Sequence, residues 1–198
     1  MTIHELNNTS YLFQKDHVNN WAYQTKVFTK TECESIINYG NSYNKNKALI
    51  GSENPLNENI RKSNVAWIYP NSETFEIYER LSNVVQNLNN EFFKFDLFGF
   101  CEGLQFTEYK SPDGHYKAHL DSMTGKNVRK LSIVLQLSDP KDYEGGNLLI
   151  YQSNDPTFIH QEQGTLIAFP SYMLHQVAPV TKGIRYSLVA WITGPNFK

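Results

Sequence analysis

The amino-acid sequence predicts a mainly β protein of the α+β class, an antiparallel sandwich or jelly roll in the second half supported by helices from the first. Three observations carry this expectation. From Leu97 onward, apolar and polar residues alternate at period two, as in strands with one buried face. The turn signals Ser111-Pro112-Asp113-Gly114, Ser138-Asp139-Pro140, Glu144-Gly145-Gly146, Asn154-Asp155-Pro156 and Thr181-Lys182-Gly183 divide that half into short segments. Before Leu97 the clearest pattern is helical, with Phe75, Tyr78, Leu81, Val85, Leu88 and Phe92 recurring at steps of three and four.

In chain order, residues 1–20 are polar and unpatterned apart from Tyr11-Leu12-Phe13 and read as a loose leader. Trp21 to Phe28 reads as a first strand. Thr29-Lys30-Thr31-Glu32 offers a capping box before Cys33, Ile36, Ile37 and Gly40, which predicts a short helix over 30–40 ended by Gly40 and Asn41. The segment 41–60, rich in Asn, Ser, Gly and Pro, reads as a long surface loop, and Arg61 to Tyr69 as a strand. Pro70-Asn71-Ser72 starts the main helix, which runs to about Phe93. Short strands are expected over 97–101, 104–110, 115–121, 129–138, 146–151, 157–160, 164–169, 174–179 and 184–193.

At 198 residues and 40% hydrophobic, the chain suits one well-buried core, so one domain is expected. Its helical support spans roughly 21–95 and its jelly-roll core roughly 97–195. The formal charge of −2, with Lys and Arg scattered, offers no footprint for nucleic acid or an anionic membrane. The polar start lacks a signal-peptide core, and no apolar run nears the ~20 residues of a spanning helix, so a soluble, cytoplasmic protein is expected. Cys33 and Cys101 have no Cys-x-x-Cys partner and read as inert reduced thiols.

The chemistry concentrates in the second half. His119 and Asp121 sit two residues apart on an expected strand, so both point to one face about 6.6 Å apart along the chain and can converge on one ion. His175 lies among apolar and small residues in Phe169-Pro170-Ser171-Tyr172-Met173-Leu174-His175-Gln176-Val177. Ten residues on, period two places Arg185, Ser187, Val189 and Trp191 on one face. A buried Arg needs an anion, and its planar guanidinium suits a carboxylate. On the strand Leu131 to Leu137, Ser132, Val134 and Gln136 share the side placed toward the pocket; Gln105, Thr107 and Tyr109 share a side of the preceding strand, which makes Gln105 a candidate polar contact. His115 shares parity with His119 but follows the Asp113-Gly114 turn and is expected at the rim. Two His and one carboxylate that leave coordination positions open form the facial triad associated with non-haem Fe(II) oxygenases.

Together, His119-x-Asp121, His175 and Arg185 resemble the iron and 2-oxoglutarate signature of the 2-oxoglutarate/Fe(II)-dependent dioxygenase superfamily, in its prolyl 4-hydroxylase-like branch. The resemblance covers roughly residues 100–195 and implies a double-stranded β-helix. Tyr109, ten before His119, is similar to a Tyr that hydrogen-bonds the bound cosubstrate in prolyl hydroxylases. Tyr116, three before His119, is similar to another aromatic of that pocket, and Trp191, six after Arg185, to a Trp kept beside the substrate. Glu144-Gly145-Gly146-Asn147-Leu148 resembles the Gly-Gly turn between the halves of the triad. Gln136 departs from the pattern, falling where some prolyl hydroxylases carry a Tyr that holds the far carboxylate.

The resemblance implies His119, Asp121 and His175 as iron ligands and Arg185, Tyr109, Gln136 and Ser187 as cosubstrate-binding residues. Trp191, Tyr116 and Gln105 then face the substrate. Fe(II), 2-oxoglutarate and O2 are implied, with ascorbate as a further cofactor; the formal charges of iron, Asp121, 2-oxoglutarate and Arg185 cancel. The implied reaction hydroxylates an unactivated C–H with release of succinate and CO2, on a prolyl residue of a protein or peptide, or on a free amino acid or other small molecule. The nucleic-acid demethylating branch has an Arg where this chain has Trp191, which argues against base demethylation. From other classes, a non-enzymatic jelly-roll binding module and a cupin-like metalloenzyme without cosubstrate are the competing readings.

Overall fold

One long strand at the end of the chain joins two antiparallel sheets. The computed structural model describes residues 18–48, 57–121 and 128–196. They form β1 (Ala22–Gln24), α1 (Lys30–Ser42), β2 (Asn46–Lys47), β3 (Arg61–Lys62), β4 (Asn64–Ile68) and α2 (Phe75–Leu88), which continues as a π-helical turn (Asn89–Phe93). The second half gives β5 (Gly99–Phe100), β6 (Leu104–Lys110), β7 (Gly114–His119), β8 (Val128–Gln136), β9 (Tyr143–Gly145), β10 (Leu148–Tyr151), β11 (Pro156–Phe158), β12 (Leu166–Pro170) and β13 (Leu174–Gly194). The larger sheet runs β1-β12-β8-β13-β6-β4-β2, with β5 also on β13. The smaller runs β11-β10-β13-β7-β3, with β9 on β13. The first half of β13 belongs to the smaller sheet and its second half to the larger, so one strand carries both His175 and Arg185 to the space between them.

Period two decides what each face of β8 does. Leu131, Ile133, Leu135 and Leu137 pack with Ile36, Leu81, Val85 and Leu88 of the helices in one buried core. Val134, on the opposite face, joins Tyr109, Ile150, Phe169 and Val177 in a second cluster drawn from both sheets. Each such side chain, fully buried, contributes about 1.5–3 kcal/mol, so the helices hold the larger sheet firmly behind the site.

The capping box forms as expected: Glu32 N–H donates to Thr29 Oγ1 at 3.3 Å and Thr29 N–H to Glu32 Oε2 at 2.7 Å. Several boundaries differ from the sequence expectation. Gly40 does not end α1, which runs on to Ser42; a Cβ at Gly40 would lie 2.5 Å from the Phe106 ring, so this glycine serves a close helix–sheet approach. The main helix begins at Phe75, because Asn71 Oδ1 accepts from the N–H groups of Glu73 and Thr74 and holds a turn there. Phe75 is exposed, outside the stripe it was expected to share.

The expected strand from Trp21 to Phe28 shortens to β1, and that from Arg61 to Tyr69 splits into β3 and β4. The first half is thus more than helical support, since it adds β1 to β4 to the sheets. Part of the 41–60 surface loop is β2, while 49–56, the Tyr11-Leu12-Phe13 leader, His4 and His17 lie outside the described residues. Thr181-Lys182-Gly183 does not turn the chain. β13 passes through it with register shifts and a positive φ of 71° at Gly183, a bulge that re-aims the strand from one sheet to the other. Cys33 and Cys101 are both free, and burial pushes the Cys33 thiol up to about 12. Among the described residues no helix is long and apolar enough to cross a membrane.

Candidate active site

Strand pairing assembles the site from neighbours. His119 of β7 pairs directly with His175 of β13, and Ser132 pairs with Trp191, Gln136 with Ser187 and Tyr109 with Arg185 across the larger sheet. A cavity of about 470 Å³ opens between the sheets, and His119, Asp121, His175, Arg185, Tyr109, Ser187, Trp191, Tyr116 and Gln105 all line it. Gln136 stands behind Arg185 and is not part of the wall.

The metal-ligating atoms of His119, Asp121 and His175 lie within 4.8 Å of one another. His119 Nε2 is 3.9 Å from Asp121 Oδ1 and His175 Nε2 is 3.7 Å from Oδ2. Each imidazole is oriented by its other nitrogen: Nδ1 of His119 meets the Lys117 carbonyl at 2.8 Å, and Nδ1 of His175 meets that of Met173 at 2.9 Å. A carbonyl accepts only, so each Nδ1 carries the proton and each Nε2 presents its lone pair to the shared point. Burial, then the neighbouring His175, pushes the His119 pKa down to about 4, which keeps the imidazole neutral.

Asp121 is 8% exposed. Burial alone would raise its pKa, but His175, the Ser132 hydroxyl, His119 and the Trp191 indole outweigh it and hold the carboxyl below its ordinary range. Ser132 Oγ donates to Asp121 Oδ2 at 2.5 Å and lies 2.9 Å from Ser171 Oγ, so two buried hydroxyls fix the carboxylate from behind. His115 is buried instead of lying at the rim, because β3 sets Lys62 opposite it; its Nδ1 meets the Asp113 carbonyl at 2.7 Å, and it is not one of the three clustered ligands. His160 is exposed, against the Tyr23 ring.

Arg185 is 1% exposed. Its Nη2 donates to Gln136 Oε1 at 2.8 Å, while Nε, Nη1 and the Ser187 hydroxyl are buried with no hydrogen-bond partner. Leaving each such group unpaired costs about 1–3 kcal/mol, and donors so arranged suit an anion with several acceptor oxygens. Tyr109 lies under the guanidinium, 5.5 Å from ring centre to Cζ. The Gly-Gly turn makes room: a Cβ at Gly146, where φ is +63°, would come 3.0 Å from Arg185 Cδ, and one at Gly145 would strike the Pro179 carbonyl at 2.2 Å. The three clustered ligands and this donor set fit a divalent metal and a dicarboxylate that share one cavity.

The opposite wall holds residues that sequence reasoning left without a role. Arg129 makes a bidentate pair with Glu102 at 2.8 and 2.7 Å and stacks 3.8 Å over Trp191. Trp67 lies 6.1 Å from Trp191, centre to centre. Arg61 stands 4.5 Å over Tyr116, whose ring stacks at 3.5 Å on His119. Ser171 carried no signal in the sequence, since its contact with Ser132 spans 39 positions.

Residues 104–193 match the family model of the 2OG-Fe(II) oxygenase superfamily. Relatives by sequence include PKHD-type hydroxylases. A PKHD-type hydroxylase of Prochlorococcus marinus is 36% identical over 117 residues, 57% of this chain and 52% of that protein. One from Idiomarina loihiensis is 35% identical over 89 residues, covering 42% and 41%. The chain spans about half the length of the curated relatives it matches. A Pseudomonas putida prolyl-4-hydroxylase superposes with a TM-score of 0.71 at 22% identity, over 89% of this chain and 94% of that one. A Trichoplax adhaerens prolyl hydroxylase, solved with a hypoxia inducible factor peptide, gives 0.73 at 20%, over 96% and 86%. The jelly-roll fold is therefore that of the prolyl hydroxylases.

Proposed function

We propose that the chain acts as one 2-oxoglutarate- and Fe(II)-dependent dioxygenase unit that hydroxylates a prolyl residue of a protein or peptide, with ascorbate as the reductant that keeps the iron ferrous. The observation that carries the dioxygenase reading is the open donor set of Arg185 and Ser187 beside the His119, Asp121 and His175 cluster. A binding module has no use for two unpaired guanidinium donors next to a metal clamp, and a cupin-like site without cosubstrate leaves them equally unexplained.

In this reading His119 and His175 present neutral Nε2 lone pairs and Asp121 presents a carboxylate kept ionised by its neighbours. Ser132 and Ser171 hold that carboxylate against rotation. Arg185 and Ser187 receive the far carboxylate of the dicarboxylate, with Gln136 anchoring the guanidinium at its back. Iron and 2-oxoglutarate, once held there, supply the oxygen chemistry that ends in succinate, CO2 and a hydroxylated C–H. Leu148, Val134, Phe169 and Val177 keep that end of the cavity apolar and dry. Trp191, Trp67 and Tyr116 offer flat surfaces to a pyrrolidine ring at the other end.

The PKHD-type names leave the substrate open; the prolyl assignment draws on the prolyl hydroxylase folds and on these aromatic walls. Incubation with Fe(II), 2-oxoglutarate, ascorbate and prolyl peptides is expected to yield succinate and peptides heavier by one oxygen on proline. Succinate formation that no prolyl peptide stimulates would contradict the prolyl assignment, and a protein that binds neither iron nor 2-oxoglutarate would contradict the dioxygenase reading itself.

A further inference from the structure

Arg61 is 8% exposed, lines the cavity from β3 and makes hydrogen bonds only to neutral groups, Ser63 Oγ at 2.9 Å and Gln105 Oε1 at 2.8 Å. Its one close aromatic neighbour, Tyr116, is neutral as well. Nearby carboxylates are already taken by other cations. Glu102 holds Arg129 in two bonds, Glu58 pairs with Lys47, and Glu108 pairs with Lys45. Among the described residues, therefore, the Arg61 guanidinium has no counter-ion, although burying an unpaired charge is among the costliest arrangements a fold can adopt.

A charge account of the cavity wall reaches the same point. Among the described residues, its charged members are Arg61, Glu102, Asp121, Arg129 and Arg185. Arg129 and Glu102 cancel. Asp121 and Arg185 cancel with a divalent metal and a dianionic cosubstrate in place. One positive charge is left over, and it sits on Arg61, one aromatic ring away from His119. A substrate that offers only neutral carbonyls would leave that charge buried and uncompensated.

We infer that the substrate carries a carboxylate on or beside the residue that is hydroxylated, and that Arg61 is the residue that receives it. The inference rests on the dioxygenase reading and narrows its substrate class to anionic molecules. The chemistry has two sources: the α-carboxylate of a free or C-terminal residue, and an acidic side chain beside the target within a peptide.

Binding to the anaerobic protein, measured by calorimetry with and without Fe(II) and 2-oxoglutarate, tests it with matched probes. N-acetyl amino acids, proline included, are compared with their methylamides, and internal Pro-Asp peptides with their Pro-Asn counterparts. A charge-assisted bond contributes about 1.5–3 kcal/mol, so the carboxylate member of one series is expected to bind roughly ten- to a hundred-fold tighter. Preference within the first series assigns the α-carboxylate, and within the second the acidic side chain. Arg61→Gln is expected to erase the preference while 2-oxoglutarate affinity stays unchanged, and Arg61→Lys to keep part of it. Equal or absent binding of the carboxylate members in wild-type protein overturns the inference whether or not any variant folds. So does a preference that survives in Arg61→Gln. Failure of the dioxygenase reading is separately visible as the absence of any Fe(II) and 2-oxoglutarate complex.

Discussion

Arg129 and Arg185 line the same cavity from neighbouring strands, yet the protein completes one and leaves the other open. Arg129 has a resident carboxylate, Glu102, that accepts two of its bonds, and an aromatic face, Trp191, beneath it. Arg185 is more deeply buried and meets only neutral groups, Gln136 and the Tyr143 hydroxyl, with Nε and Nη1 unpaired. An unpaired buried donor is sustained only where something else completes it, so a ligand is expected at Arg185 and not at Arg129. Arg61 differs from both: its Nε and Nη2 are bonded to neutral oxygens, and what it lacks among the described residues is a counter-ion.

The largest expected effect lies at the point both arginines flank. Asp121→Ala or His175→Ala is expected to abolish Fe(II) binding and succinate formation together, read by metal analysis and turnover; a variant that keeps both would dissolve the metal end of the cavity. Next comes the open arginine. Arg185→Ala is expected to raise the 2-oxoglutarate concentration needed by roughly a hundred-fold, the loss of two charge-assisted bonds, with iron retained. An unchanged requirement would place Arg185 with Arg129 as a structural residue.

Ser132→Ala should weaken iron binding by about ten-fold or somewhat more, the usual cost of removing a partner that orients a ligand. Ser132→Thr, which keeps the hydroxyl, should restore most of it. Affinity equal to wild type in the alanine variant would show that Asp121 is held by other means.

A pH effect follows from His119, whose pKa is about 4 in the fold against 6.5 for a free imidazole. The unfolded chain takes up a proton near 6.5 that the metal-free fold accepts only near 4, so stability falls as pH drops through that window. The thermal midpoint of metal-free protein should decline there and be flatter in His119→Asn; a level wild-type profile would contradict this burial. The smallest effect is at the completed arginine. Arg129→Met should cost about 1 kcal/mol or less, since this part-exposed pair is screened by solvent, and should leave the 2-oxoglutarate requirement unchanged.

Period-two reasoning reached most of one cavity end, because strands force alternate residues to one side. Arg185 with Ser187 and Trp191 are spaced as a strand requires; the expected strand through Asp121 instead ends at His119, and Asp121 is placed just beyond it by its N–H donating to the Ser171 carbonyl at 3.2 Å. What lay beyond reach depends on pairing between distant strands. Arg61 arrives on β3 from 58 positions before His119, and Ser171 meets Ser132 only because β12 pairs with β8. Gly183 looked like a chain reversal and proved to be the bulge that lets one strand serve two sheets, a choice made by β9 pairing alongside it and not by local preference. Gly40 looked like a helix stop, and only the Phe106 ring beneath it shows otherwise.

One cavity is expected to hold a metal on three side chains and a dicarboxylate on Arg185 at the same time. Anaerobic mixing of the protein with Fe(II) and 2-oxoglutarate tests it most directly. The account predicts a visible metal-to-ligand charge-transfer absorption that needs both additions, disappears in Asp121→Ala and requires far more 2-oxoglutarate in Arg185→Ala. No such absorption in wild-type protein, or one indifferent to both substitutions, would contradict it.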